Sequence, residues 1–138
     1  DSGKIVYVIQ EIPGTKDGRP KINIMGAQKF GKIKVLLKED SQMIFSPGPI
    51  IFELRRLLKE YRPTDYLLLT GDPAIIGVAC SVVSDITHGK YHLLKWDRQE
   101  RMYYPISINL YGGKLGPIGK LGSLKMTQAS PPKLPNPF

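Results

Sequence analysis

The sequence has few of the residues on which disulfide, metal and nucleophilic chemistry depend. Its 138 residues include one cysteine, two histidines and one tryptophan. The single cysteine, Cys80, excludes an internal disulfide and any metal site made of thiolates alone. Because Cys80 lies in an apolar run, we expect a buried free thiol, which fits a reducing, intracellular environment.

Long apolar runs and an export leader are missing as well. No stretch approaches the ~20 apolar residues that a membrane-spanning helix needs, and no basic segment followed by an apolar one opens the chain. The apolar content of 41% and the charged content of 23% are typical of a globular protein. The sequence therefore predicts one domain with its own core and without a membrane span.

Positive charge is abundant and unevenly placed. Residues 16–38 hold seven basic residues and one acidic residue, a net charge of +6. Residues 112–138 hold four lysines and no acid, a net charge of +4, which leaves −2 for the remainder of the formal net charge of +8. A basic surface joined to a basic tail predicts an acidic partner: nucleic acid, an acidic protein surface or an anionic membrane. Solubility alone is the alternative explanation.

The first third of the chain has the patterns of strands. Residues 4–12 are rich in β-branched and aromatic side chains, and residues 32–37 alternate lysines with apolar residues. The alternation at 21–25 predicts a further strand that pairs with the first across a turn at 13–20. Residues 43–45 predict one more short strand.

The middle of the chain changes to helical spacing. Apolar residues over 50–61 predict an amphipathic helix that Pro63 ends. A second, almost wholly apolar helix is predicted at 74–86, with Asp72 as its N-cap and Gly89 in the left-handed conformation that closes it.

Three more strands are predicted around these helices: residues 66–70, buried on both faces, then 91–96, then 102–110, with one face in solvent. Strands joined by helices should be parallel, and the last two should form an antiparallel hairpin. The sequence thus predicts an α/β (α+β) fold with a mixed sheet, a single domain of about six to seven strands and two helices. The domain would span residues 1–111, followed by an extended C-terminal arm at 112–138.

The predicted arm, residues 112–138, differs from the domain in composition. Ten of its 27 residues are glycine or proline, Lys-Leu-Gly occurs at 114 and at 120, and its end is a polyproline-type run. Such a segment cannot bury enough of itself to fold alone, so we expect a neighbouring surface to order it.

No set of side chains matches a catalytic or metal-binding pattern. His88 and His92 are accompanied by no thiolate or carboxylate cluster, so we expect no metal site. Cys80 and His88 lie eight positions apart on one predicted helix, roughly 12 Å of axial rise, which is beyond the reach of a nucleophile and its base. No nucleophile-elbow serine is found either, and paired-carboxylate chemistry cannot be located from the sequence. We predict a protein that is not an enzyme and that uses neither a metal nor a cofactor.

The best candidate for a small-ligand site is Gly71-Asp72-Pro73. It follows a buried strand and opens a helix, which is where phosphate binds in nucleotide folds. However, no glycine-rich loop surrounds it, and Asp72 places negative charge where the phosphate would bind. Helix capping by Asp72 is the better interpretation.

Nucleic-acid binding is an alternative function. Lys32 and Lys34 share one strand face, and Lys21 could join them across the sheet. The predicted hairpin adds an aromatic and basic cluster of Trp96, Arg98, Arg101 and Tyr103. Cations beside exposed rings are typical of single-strand binding, although the same rings could be part of the core.

Two segments carry a resemblance to a known group of proteins. Tyr-Leu-Leu-Leu-Thr-Gly-Asp-Pro at 66–73 and Leu-Leu-Lys-Trp-Asp-Arg at 93–98, with Tyr-Tyr-Pro at 103–105, resemble small uncharacterised proteins of tailed phages that infect cyanobacteria. The similarity covers residues 4–110 and not the arm. It implies a viral origin and an accessory virion or host-interaction role, and it carries over no site residue.

The predicted function is accordingly a non-enzymatic interaction or assembly protein, encoded by a phage, that docks through its arm onto a protein partner or another subunit. Glycines would let the backbone lie flat, with apolar anchors and lysines between them. The predicted partner-binding residues are Lys114, Leu115, Ile118, Lys120, Leu121, Leu124 and Lys125. The expected location is the virion or the host cytoplasm.

Overall fold

Residues 3–12, 24–42 and 46–112 are described by the structure, a computed structural model. They form five strands, β1 (Ile5–Gln10), β2 (Lys32–Leu37), β3 (Tyr66–Leu68), β4 (Lys90–Asp97) and β5 (Met102–Asn109). Two α-helices, α1 (Gly48–Leu57) and α2 (Pro73–Thr87), and one 3-10 helix, η1 (Ile24–Phe30), lie between them. The predicted mixed α/β fold is confirmed.

The five strands form one sheet in the order β2-β1-β3-β4-β5. Strand β1 is parallel to both β2 and β3, with Val8 opposite Val35 on one side and Leu68 on the other. Strand β3 is parallel to β4, with Leu67 opposite Leu93. Strand β5 follows β4 after the short turn at 98–101 and lies beside it. A turn this short can only reverse the chain, so β5 is antiparallel and the sheet is mixed, as predicted.

One face of the sheet is covered by the two α-helices. Leu54 of α1 and Ile75 of α2 are fully buried, and they belong to the same cluster as Tyr7 and Ile9 of β1. Helix α2 has the predicted N-cap, since the Asp72 Oδ1 atom accepts a hydrogen bond from the Ala74 N–H at 2.9 Å. At its other end His88 is the C-cap, and Gly89 after it has the predicted positive φ, 81°.

The other face is covered by η1. Ala27 of η1 packs against Val6 and Val8 of β1, in a cluster that continues to Leu94 of β4 and Tyr103 of β5. Strand β1 is therefore buried on both faces, as is usual for a central strand of a parallel sheet.

The strand predicted at 21–25 is wrong where the structure describes it. Residues from Ile24 onward form η1, and residues 21–23 lie outside the described residues. The physical reason is topological: β1 and β2 are parallel, so the chain between them must cross over and cannot return as a hairpin. The strand predicted at 43–45 also lies outside the described residues, and the described part of the chain has five strands.

The predicted burial of one strand is also corrected. Strand β3 ends at Leu68, and Leu69 is 36% exposed rather than buried. Strand β5 was predicted to have one face in solvent, and at its start the face with Met102 and Tyr104 is exposed whereas Tyr103 is buried. Tyr103 packs edge-to-face on Trp96 with ring centroids 4.9 Å apart.

Helix α1 is shorter than predicted, and the chain divides into two units near the end of β5. Helix α1 ends at Leu57, before the predicted Pro63, because the chain tightens and the Tyr61 N–H donates to the Leu58 carbonyl. The chain divides into two units, residues 1–108 and 109–138. The described part of the second unit is a turn in which the Tyr111 N–H donates to the Asn109 side chain at 3.1 Å. Among the described residues, no helix is both long and apolar enough to cross a membrane.

A buried carboxylate, Asp65, fixes the amino end of β1. Asp65 is fully buried, and it accepts hydrogen bonds from the Ile5 N–H at 2.9 Å and the Arg62 N–H at 2.9 Å. The Arg62 guanidinium lies 3.2 Å from the same carboxylate. One side chain therefore joins β1 to the turn that precedes β3.

We predict that Asp65→Ala lowers the free energy of unfolding by about 3 kcal/mol, because it removes the buried acceptor of two backbone N–H groups and of the Arg62 guanidinium. Asp85→Ala is the control, since Asp85 pairs with Arg55 at 2.7 Å on an exposed surface, where such pairs contribute about 0–1 kcal/mol. Urea denaturation of the two variants measures the difference. Equal losses would contradict the role given to Asp65.

Candidate functional site

The first candidate site lies at the carboxyl ends of β1 and β3. After β1 the chain runs toward β2, on one side of β1. After β3 it runs toward β4, on the opposite side. The two connections therefore leave the neighbouring ends of β1 and β3 in opposite directions. Open parallel sheets bind their ligands in the crevice at such a point. The residues here are Gln10 at the end of β1 and Thr70, Gly71 and Asp72 after β3.

In this protein the Gln10 side chain fills the crevice. Its Nε2 atom donates to the carbonyls of Lys38, at 3.0 Å, and Ser41, at 2.8 Å, and its Oε1 atom accepts from the Asp72 N–H at 2.8 Å. The Thr70 hydroxyl donates to the Gln10 carbonyl at 2.6 Å and accepts from its N–H at 3.1 Å. The carboxamide thus joins three chain segments where a ligand would otherwise bind.

Gly71 is the residue that allows Gln10 this position. Its φ is +105°, a conformation that side chains rarely adopt, and a Cβ atom there would lie 2.1 Å from the Gln10 Oε1 atom. The glycine predicted as part of a possible phosphate site therefore makes room for the protein's own side chain.

The amide groups at the start of α2 are also engaged. The Asp72 N–H donates to Gln10, the Ala74 N–H to the Asp72 side chain and the Ile76 N–H to the Asp72 carbonyl at 2.9 Å. Pro73 has no N–H. Helix capping, the interpretation favoured from the sequence, accounts for Asp72, and few donors remain to hold a phosphate.

We predict that Gly71→Ala destabilises the protein by on the order of 2–3 kcal/mol, because the new Cβ strains the backbone and displaces Gln10. Gly77→Ala is the matched control: Gly77 lies within α2 with open space around its Cα. There the same substitution should stabilise by about 0.5–1 kcal/mol through helix propensity. Thermal unfolding should show a lower melting temperature for Gly71→Ala and a higher one for Gly77→Ala. An unchanged melting temperature of Gly71→Ala would contradict the packing of Gln10 against Gly71.

The side chains that are capable of nucleophilic or metal-binding chemistry are held or buried by the surrounding structure. The His92 Nδ1 atom lies 2.9 Å from the Pro63 carbonyl oxygen, an acceptor, so this nitrogen carries the proton. His88 has a φ of 56° and is the C-cap of α2. Cys80 is half-buried, and burial raises the pKa of its thiol. Among the described residues no three metal-ligating side chains are grouped.

The residues predicted for nucleic-acid binding are not brought together. Lys32 and Lys34 are exposed on β2, one edge of the sheet, whereas the predicted hairpin is the opposite edge. Four strand spacings, roughly 19 Å, separate these edges. Arg98 and Arg101 are exposed in the β4–β5 turn, and the other predicted hairpin residues are the packed ring pair already described. Lys21 lies outside the described residues, as do the arm residues predicted to bind a partner.

A cavity beside the filled crevice was not anticipated from the sequence. It has a volume of about 430 Å³, and residues 68–70, 93–96, Tyr103 and Ile106 line it. It lies where the short β3 ends while β4 and β5 continue. Its walls are mostly leucine, isoleucine and aromatic side chains. No local sequence signal marks it, because it results from the difference in strand length.

One residue of the cavity wall, Tyr103, has a hydroxyl group that is buried in the protein. Tyr103 is 3% exposed, and its hydroxyl has no hydrogen-bond partner among the described residues. Burial also raises the pKa of Tyr103, so the group is a neutral hydroxyl at physiological pH. A buried hydroxyl without a partner is uncommon and costs roughly 1–3 kcal/mol.

Comparison with known proteins gives one family. A family model described as Phage Pam3 gp32-like protein matches residues 4–110. Comparisons with curated proteins and with solved structures find no match. The match bears out the phage-protein part of the resemblance seen in the sequence, and the description does not mention cyanobacteria or a tailed particle.

Proposed function

The chain belongs to the Phage Pam3 gp32-like family, and on that premise we propose that it is a non-enzymatic assembly or interaction protein. It would be an accessory virion or host-interaction component that docks on a protein partner through its C-terminal arm. An origin in a tailed phage of cyanobacteria, suggested by the resemblance, is part of the same proposal.

The observation that carries this proposal is the apolar exposure of β5. Met102 and Tyr104 on this edge strand are 43% and 38% exposed. Edge strands usually carry charged residues that prevent contact with other chains. The opposite edge, β2, has the exposed Lys32 and Lys34 beside its exposed Val35, whereas β5 has no charged residue. An edge that exposes apolar side chains is typical of a contact surface.

The arm that follows in the sequence has the composition of a docking segment. Leu115, Ile118, Leu121 and Leu124 recur between glycines and lysines. Apolar side chains at this density bind a surface by burial, which contributes about 1.5–3 kcal/mol for each side chain that becomes fully buried. The lysines favour an acidic partner surface.

The roles found for the reactive side chains support a non-enzymatic function. Asp72 caps α2, His92 bonds to a backbone carbonyl, and burial raises the pKa of the Cys80 thiol, which makes the nucleophilic thiolate rarer. Each of these groups has a structural explanation that requires no substrate.

The proposal predicts that replacing Leu115, Ile118, Leu121 and Leu124 by serine in the full chain abolishes partner binding. Loss of even two buried anchors weakens binding by roughly a hundredfold or more. The measurement is quantitative mass spectrometry of proteins that co-purify with the tagged chain from infected cells, and of the chain's amount in purified particles.

Two comparisons make this experiment decisive. A variant with Lys114, Lys120 and Lys125 replaced by glutamine keeps the anchors, so it should bind more weakly and with less dependence on salt but should still bind. If the serine variant recovers the same proteins in the same amounts as the unchanged chain, docking through the arm is refuted.

Nucleic-acid binding remains a second candidate, favoured by the exposed lysines of β2. If this edge contacts phosphates, binding of a single-stranded oligonucleotide weakens steeply between low and moderate salt. Replacing Lys32 and Lys34 by glutamine should then reduce the slope of log affinity against log salt by about 1.4. Lys59→Gln, at an exposed lysine after α1, is the control. No binding at low salt would remove this candidate.

A further inference from the structure

The face of the sheet that η1 covers has a row of three aromatic rings at the amino ends of the parallel strands. The ring of Phe30, from η1, lies 5.4 Å from that of Tyr66, from β3, and the Tyr66 ring lies 5.6 Å from that of His92, from β4, measured between centroids. The ring planes cross at 61° and 53°, so no two of these rings are stacked face to face. All three residues are half-buried and therefore remain partly exposed to solvent.

Two lysines lie over this row. The Lys4 ammonium is 5.9 Å from the centroid of the Tyr66 ring, and the Lys29 ammonium is 5.4 Å from that of Phe30. Among the described residues neither lysine forms an ion pair with a carboxylate. The Asp65 carboxylate, at the same end of the sheet, is fully buried and already holds a guanidinium and two backbone N–H groups. The positive charge over the rings is therefore not neutralised there.

This ring–lysine cluster, Phe30, Tyr66, His92, Lys4 and Lys29, combines the two groups that bind a single strand. Lysines hold phosphates, and aromatic rings stack on bases whatever their sequence. A duplex keeps its bases stacked on one another, and an acidic peptide offers carboxylates to the lysines but no row of planar groups to the rings. The cluster also includes part of the basic stretch 16–38, whose net charge of +6 attracts a polyanion.

We propose that the ring–lysine cluster binds single-stranded nucleic acid, with bases on the rings of Phe30 and Tyr66 and phosphates on the two lysines. A lysine side chain is flexible, and its contact with an exposed ring is weak. The ammonium can therefore turn to a phosphate when a base takes its place on the ring.

The proposed surface differs from the β2 edge considered above. The Lys34 ammonium lies 5.6 Å from the ring centroid of Tyr7, which belongs to the core under the two α-helices. Lys32 and Lys34 alternate with Ile33, which packs on the opposite side with η1. The two lysines of β2 and the ring–lysine cluster therefore lie on opposite faces of the sheet, and substitutions can separate them.

Two strands of equal charge isolate the stacking of bases in the full-length chain. One is a labelled thymidine oligonucleotide of about 12 nucleotides, long enough to cover a single-strand site. The other is an abasic strand of the same length, which keeps the phosphates and has no bases. Fluorescence anisotropy at low salt should give an affinity for the thymidine strand that is at least about tenfold higher.

Ring variants assign the stacking to this row. Tyr66→Leu keeps an apolar side chain and removes the ring, so it should weaken the thymidine strand by roughly fivefold to a hundredfold, the effect of one stacked base. It should leave the affinity for the abasic strand unchanged. Phe30→Leu should act in the same way, and Tyr66→Phe, which keeps the ring, should bind like the unchanged chain. Tyr104→Leu is the matched control at an exposed ring of β5.

Lysine variants assign the phosphate contacts. Replacing Lys4 and Lys29 together by glutamine should reduce the slope of log affinity against log salt by about 1.4, for both strands. Replacing Lys32 and Lys34 by glutamine, on the other face, should leave the slope unchanged. A loss confined to the β2 variant would overturn the present proposal and support the β2 edge instead.

The amide spectrum and the melting temperature of each variant report its fold. The proposal is overturned if the unchanged chain binds neither strand at low salt or binds both equally. Folded Tyr66→Leu and Phe30→Leu variants that bind like the unchanged chain overturn it as well. So does polyglutamate that binds as tightly as the thymidine strand, which would indicate an acidic protein. The arm is the same in every variant, so none of these outcomes depends on whether it docks on a protein partner.

Discussion

Strand β1 is held at both ends by a buried polar side chain, and the rest of the sheet is arranged around it. At the amino end the Asp65 carboxylate accepts from the Ile5 N–H, and at the carboxyl end the Gln10 carboxamide joins the segment after β2 to the start of α2. Because these polar groups are buried, each requires a partner in the folded state. A shift of β1 against β3 by one residue would break both sets of bonds at once. The two side chains therefore fix the register in addition to stabilising the fold.

The use of Gln10 as a structural residue changes where a ligand could bind. An open, mostly parallel sheet with this strand order usually leaves the crevice between β1 and β3 open for a ligand. Here the carboxamide fills that crevice, and Gly71 has no side chain because Gln10 occupies the space. The open volume lies one strand further along, where β3 stops before β4. Thr70 contacts both places, since its hydroxyl bonds to Gln10 while the residue lines the cavity. Thr70 therefore both supports the end of β1 and forms part of the cavity wall.

The sequence predicts those parts of the fold that local chemistry determines. The start of α2 follows from Asp72 and Pro73, its end from Gly89, and the parallel order of the helix-linked strands from the alternation of elements. The 3-10 helix was missed because a short alternating pattern fits either a strand or a turn of helix, and only the parallel pairing of β1 with β2 decides. The burial of Tyr103 involves its contact with Trp96, on the preceding strand. The role of Gln10 depends on Asp72, which lies 62 residues away in sequence. No local pattern contains that information.

The two edges of the sheet differ in a way that restricts how a partner can bind. Strand β2 exposes Lys32 and Lys34, charged residues that are usual on an edge strand, together with Val35. Strand β5 instead exposes Met102 and Tyr104, yet it contains Pro105, which has no N–H to give to an added strand. A continuous strand from a second chain would therefore meet a gap in its hydrogen bonds at this position. Side-chain contact with Met102 and Tyr104 avoids that gap, because burial of apolar surface does not require a continuous ladder. A partner at this edge is thus expected to pack on the side chains of β5 rather than to extend the sheet.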